Sequence, residues 1–179
     1  ISLGIELDNH QPIICKNINN INNNNNTNHN NNNNKSFIIS IIGRIAEEKI
    51  PINFLKECVK HSIHIHIYGE KDKDFNKEYV FEFEQLLTKS PFQTVIYKGF
   101  VDPKLIDNIY ENTDILLLPS IYETGSFTCL EAFKYGIPVI ARNVFGLPSL
   151  IQNNINGYLV NNDKEFIDVL QNIHLLKEL

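Results

Sequence analysis

The chain contains no Met and no Trp, only three Cys, and no surplus of basic residues. Each shortage excludes something. With 16 Lys and Arg against 21 Asp and Glu, the net charge is −5, and no basic stripe exists to neutralise a polynucleotide. Nucleic acid is therefore not expected as a partner. Cys15, Cys58 and Cys129 are odd in number and widely spaced, matching neither a disulfide framework nor a zinc motif. A reduced, cytoplasmic compartment is the resulting expectation. No apolar run approaches the roughly 20 residues that span a bilayer, so no integral membrane segment is expected. The start, "ISLGIELDNHQPII", has neither the basic n-region nor the apolar h-region of a signal peptide. Lacking an initiator Met as well, the chain reads as a piece cut from a longer protein.

Its 179 residues, 42% of them hydrophobic, suit one soluble domain with a substantial core. One segment stands apart. Residues 17–34 include fourteen Asn and almost nothing apolar, so they cannot repay the entropy of ordering. We read 17–35 as an Asn-rich disordered insertion, whose ends as a flexible coil would lie roughly 24 Å apart. A surface loop accommodates such a tract without disturbing a fold.

After it, two periodicities alternate. Apolar, β-branched runs predict strands at 37–42 ("FIISII"), 63–68, 94–97, 114–118 ("DILLL"), 137–141 and 157–160. Helical spacing appears near 51–61, 76–89, 103–112, 127–135 and 164–175, and "YGIP" at 135–138 is a stop signal. Repeated βα units imply an α/β fold: a Rossmann-like parallel sheet with helices on both faces. Ligands of such sheets bind beyond the carboxyl ends of the strands.

Two stretches fall on that edge. In "PSIYETGSFTCLEAFKYGIPV", Glu123 directly follows a strand and Glu131 lies eight positions on, with Gly125, Ser126 and Thr128 between. A turn entering a helix offers backbone N–H groups and the positive end of the helix dipole, which favour an anion such as phosphate. Ionised carboxylates accept paired hydrogen bonds from vicinal hydroxyls. A ligand with hydroxyls at both ends and an anionic middle fits, and nucleotide sugars have that form. The plainer alternative makes Glu123 a helix cap and Glu131 a solvated helix residue. In "IIGRIAEEK", Arg44 and Lys49 follow the first strand and can neutralise a diphosphate without a metal.

Together "GRIAEEK", "GFVDPKLIDNIYENTDILLLPSIYE", "ETGSFTCLEAFKYGIPVIA" and "NGYLV" resemble the donor-binding, C-terminal domain of GT-B fold glycosyltransferases of family 4. The resemblance covers 36 to about 174, and residues 1–16 resemble the interdomain linker that precedes this domain. It implies a nucleotide-sugar-binding domain over 36–179, retention of anomeric configuration, no metal or other cofactor, and an acceptor-binding N-terminal domain as partner. It further implies that Arg44 and Lys49 bind the donor diphosphate, Glu123 the hydroxyls of the transferred sugar, and Glu131 the ribose. The backbone of Gly125, Ser126, Phe127 and Thr128 would face sugar and phosphates, with Phe100 and Val101 bordering the base. Ile50, Glu70, Phe145 and Ser149 depart from the family's usual residues. Two alternatives stay open: a sugar-nucleotide epimerase or phosphorylase of the same architecture, and a catalytically silent binding module.

Two motifs compete for a metal. His64 and His66 share one face of a strand, with His61 upstream, but alternating Ile and His also describes a half-buried strand. Asp72-x-Asp74 is the pattern by which another glycosyltransferase fold holds a divalent cation; here it reads as a charged surface loop.

Overall fold

The computed structural model describes residues 37–72, 76–90, 93–123 and 125–173. The linker, the Asn-rich insertion, Cys15 and Asp74 lie outside the described residues. Among the described residues there are six strands and five α-helices: β1 (Ile39–Ile42), α1 (Ile52–Lys60), β2 (Ile65–Tyr68), α2 (Lys77–Lys89) and β3 (Val95–Gly99) come first. A 3-10 turn (Pro103–Leu105) then leads into α3 (Ile106–Glu111), β4 (Ile115–Leu118), α4 (Phe127–Lys134), β5 (Val139–Arg142), β6 (Gly157–Val160) and α5 (Asp163–Gln171). Every strand and helix expected from periodicity is present. The main difference is at 103–112, where Pro103 opens a 3-10 turn held by the Asp102 side chain on the Lys104 N–H.

All strand pairs are parallel, in the order β3-β2-β1-β4-β5-β6. Burial explains why β4 is nearly all leucine: its side chains alternate between two cores, one on each face of the sheet. Ile115 and Leu117 pack with Phe54 of α1 and Phe166 of α5. Leu116 and Leu118 pack with Tyr110 of α3 and with Cys129 and Ala132 of α4. Each such side chain contributes about 1.5–3 kcal/mol by leaving water. The same alternation accounts for the histidines, since Ile63, Ile65 and Ile67 are buried while His64 and His66 look the other way. One polar pair enters the core fully satisfied, the Ser40 and Thr113 hydroxyls at 2.8 Å.

Local signals set the helix ends. Asn76, Ser126 and Asn162 each accept a first-turn N–H at the starts of α2, α4 and α5, a cap worth about 1 kcal/mol apiece. The stop expected at "YGIP" is realised by Gly136 at φ +68°, where Gly136 and Ile137 N–H groups bond the Phe133 and Ala132 carbonyls.

Beyond β1 and β2 the two chains run on in register, through Gly43 N–H to the Tyr68 carbonyl and Ile45 N–H to that of Glu70. Gly69 makes this approach possible. At φ +149°, a Cβ there would stand 1.7 Å from the Gly43 oxygen, and that contact is with backbone that cannot turn aside. Gly69→Ala should therefore lower stability by more than about 2 kcal/mol in a denaturant titration. An unchanged midpoint would mean that the β1 and β2 exits separate freely.

Candidate functional site

Strand order reverses between β1 and β4. From β1 the chain goes outward to β2 and β3; it then returns to β4 and continues the other way to β6. The two exit loops diverge and leave a crevice at the carboxyl edge, the place where this class of sheet takes its ligand. A cavity of about 240 Å³ lies there. Its walls are Gly43, Arg44 and Lys49 after β1, Ser120 and Glu123 after β4, and residues 125–128 at the start of α4. Seven residues picked from sequence thus share one cavity: Arg44, Lys49, Glu123, Gly125, Ser126, Phe127 and Thr128.

The loops are stitched to each other. Lys49 Nζ donates to Glu123 Oε2 at 2.7 Å. Beside that pair, the Ile121 N–H reaches the Glu48 carbonyl at 2.9 Å and the Ser120 hydroxyl reaches that of Lys49 at 3.4 Å. The Glu123 side chain is 9% exposed and that of Lys49 31%, so the pair sits largely out of water. Glu123 does not cap α4, because Ser126 Oγ accepts the Cys129 N–H at 3.1 Å and fills that role. Arg44 differs in kind. Its side chain is 51% exposed and splits between Asp72 and Glu48. The Asp72 carboxylate is thereby engaged by a cation of the cavity wall. Among the described residues, no three His, Cys, Asp or Glu side chains cluster in a way that could hold a metal ion.

Glu131, Phe100 and Val101 lie outside the cavity wall. Phe100 is exposed just after β3. Glu131 rides on the outer side of α4, yet it is not simply solvated, since the Tyr110 hydroxyl donates to its Oε2 at 2.6 Å. Sequence reasoning missed Tyr110, and also Asp72 as the partner of Arg44. The available signal for Tyr110 was an aromatic hydroxyl in a short polar helix, "IDNIYE", just before a buried strand.

The model of the family described as glycosyl transferases group 1 matches residues 22–178. The chain belongs to this family. An uncharacterised protein in the cps region of Klebsiella pneumoniae is 32% identical over 141 residues, covering 69% of the group 1 chain and 39% of that protein. The Escherichia coli UDP-Gal:alpha-D-GlcNAc-diphosphoundecaprenol alpha-1,3-galactosyltransferase is 28% identical over 145 residues, covering 75% and 36%. Anabaena HepE, solved in complex with UDP, superposes with a TM-score of 0.69 at 19% identity, covering 78% of the chain and 39% of HepE. That likeness shows the fold, a GT-B Rossmann-like half. The group 1 chain spans at most 39% of the length of these three proteins. No helix among its described residues is long and apolar enough to cross a membrane.

Because Glu123 is buried beside one cation, removing that cation should cost more than removing the pair. Lys49→Met should lose about 1–2 kcal/mol, discounted for the partial exposure of Lys49. Lys49→Met combined with Glu123→Gln should regain part of that loss. Additive losses in a double-mutant cycle would mean that the two side chains do not support each other.

Proposed function

We propose that the chain is the donor-binding half of a retaining glycosyltransferase that uses a nucleotide sugar and needs no metal. The observation that carries this reading is the Lys49–Glu123 pair inside the crevice at the strand reversal. An ion pair lining this cavity offers a cation to an anionic group and a carboxylate to hydroxyls. A sugar diphosphate exchanges with both at once: phosphate oxygens take Lys49, and the hydroxyls of the transferred sugar take Glu123. Neither buried charge is left without a partner in the exchange.

The remaining roles are those that the family resemblance implies. Arg44, at the mouth of the same wall, adds a second cation for the diphosphate, and the first turn of α4 adds its dipole. Gly125 to Thr128 bring backbone close to sugar and phosphates. Glu131 holds the ribose, and Phe100 with Val101 borders the base. Transfer then replaces the bond from the anomeric carbon to the diphosphate oxygen by a bond to an acceptor hydroxyl on the same face. The hydroxyl proton ends on the departing diphosphate, whose charge Arg44 and Lys49 stabilise. The acceptor is held by an N-terminal domain of the same protein, in the cytoplasm.

The relatives support a uridine donor as the first to try, since the E. coli enzyme carries UDP-Gal in its name and HepE was solved with UDP and UDP-glucose. One observation favours a second reading, a catalytically silent binding module. Arg44 is held by two acids, Asp72 and Glu48, and such a grip opposes capture of a leaving group. Binding without transfer or hydrolysis by a protein that includes the acceptor half would select it.

Calorimetry with UDP-, GDP- and ADP-sugars and with the free nucleotides tests the donor site. Glu131→Gln should weaken nucleotide and nucleotide sugar alike by roughly ten- to a hundredfold, the worth of a charge-assisted hydrogen bond. Glu123→Gln should spare the free nucleotide and weaken only the intact sugar donor. Wild-type affinity of both variants for both ligands would remove the proposal's central residues. EDTA should leave donor binding unchanged; a requirement for Mg²⁺ or Mn²⁺ that disappears in Asp72→Asn would move the diphosphate to the loop after β2.

A further inference from the structure

Two tyrosines lock α3 to α4. The rings of Tyr110 and Tyr135 stack with centroids 5.2 Å apart and planes 10° from parallel. Their hydroxyls point to opposite helices: Tyr110 of α3 donates to Glu131 of α4, and Tyr135 at the end of α4 donates to Asp107 of α3. Each helix supplies one donor and one acceptor. Tyr110 is 1% exposed, so its ring cannot swing, and its hydroxyl meets Glu131 from a fixed point. Burial, followed by the bond to Glu131, pushes the phenol well above its ordinary value. Tyr110 therefore stays protonated and stays a donor.

The consequence falls on Glu131. A glutamate on an exposed helix surface samples many rotamers, and a ligand that uses it must first order it. Here Oε2 is already held, and among the described residues nothing bonds Oε1. We propose that Tyr110 is the positioning residue of the ribose subsite, presenting Oε1 of Glu131 in fixed orientation to the vicinal hydroxyls of the nucleotide. This rests on the donor-site reading above, in which Glu131 takes the ribose. A purely structural role is the alternative, because a buried phenol needs an acceptor whatever that acceptor does next.

Discrimination against a missing ribose hydroxyl separates the two. Affinities of the 179-residue chain for UDP and 2′-deoxy-UDP are compared by calorimetry, or for GDP or ADP with their deoxy counterparts if the donor panel selects one of those. Wild type should favour the ribonucleotide by about tenfold or more. Tyr110→Phe keeps the ring, its volume and its stack, and a thermal melt checks that it folds. Its preference should fall below about threefold. Tyr135→Phe, which breaks the matching bond to Asp107, controls for loosened helix packing and should keep the wild-type preference. A Tyr110→Phe preference equal to wild type overturns the proposal, as does an equal collapse in Tyr135→Phe. A wild-type preference near one sinks the ribose role of Glu131 itself, independently of Tyr110.

Discussion

Much of the site hangs on one contact, the 2.7 Å bond between Lys49 and Glu123, which joins two loops 74 residues apart in the chain. A carboxylate as buried as Glu123 is costly unless a cation or several donors attend it. Lys49 can attend it only because β1 and β4 are neighbours, with Ser40 opposite Leu116 in the ladder. Strand order thus comes before chemistry. The two flanking bonds from the loop after β4, to the Glu48 and Lys49 carbonyls, fix the separation of the loops and hence the width of the cavity.

The two cations at the cavity differ in their own exposure, while each pairs with a carboxylate whose side chain is 9% exposed. Exposed ion pairs are worth about 0–1 kcal/mol because water and salt compete for both partners. The pair of Arg44 with Glu48 is of that kind, but the Asp72 side chain is only 9% exposed, so Arg44 leaves Glu48 at small cost and Asp72 at a larger one. Lys49 sits in a drier place, and its departure from Glu123 is favourable only when something replaces it. A ligand carrying phosphate alone would leave Glu123 stranded. One carrying phosphate next to hydroxyls would not, which is why the proposed donor is a sugar diphosphate and not a phosphate alone.

The fold was legible in the sequence to the extent that it is local. "ILLL" and "VIAR" read as strands because alternate side chains must fill two cores, and "YGIP" as a stop because Gly136 adopts φ +68°. The cavity residues were legible because they cluster in two short stretches that each leave a strand. Long-range pairings were not. Tyr110 with Glu131 and Arg44 with Asp72 are 21 and 28 residues apart, and each depends on which helices or loops the strand order makes adjacent. Periodicity carries no information about that order. The alternative of Glu123 as a cap could not be settled locally: Ser126 and Glu123 both stand near the start of α4, and only backbone geometry decides that Ser126 is the one that reaches an N–H.

Residues that depart from the family's usual pattern show how chemistry and scaffold divide. Ile50 is 1% exposed and joins the core, so an apolar side chain there adds burial that a glycine would not. Ser149 closes its own turn by donating to the Gly146 carbonyl at 2.6 Å, and no acid stands in that turn. Phe145 holds a left-handed φ of +45°, a conformation costing a side-chain-bearing residue about 1–2 kcal/mol. Its ring meets Tyr122 edge-on with centroids 4.6 Å apart, and such pairs return about 0.5–1.5 kcal/mol. Cost and return are of the same size, so the position is tolerated without a bound ligand to justify it. Of these three residues, Phe145 and Ser149 alter the loop after β5 and Ile50 thickens the core. The charged groups that face the cavity, Arg44, Lys49 and Glu123, are untouched by them.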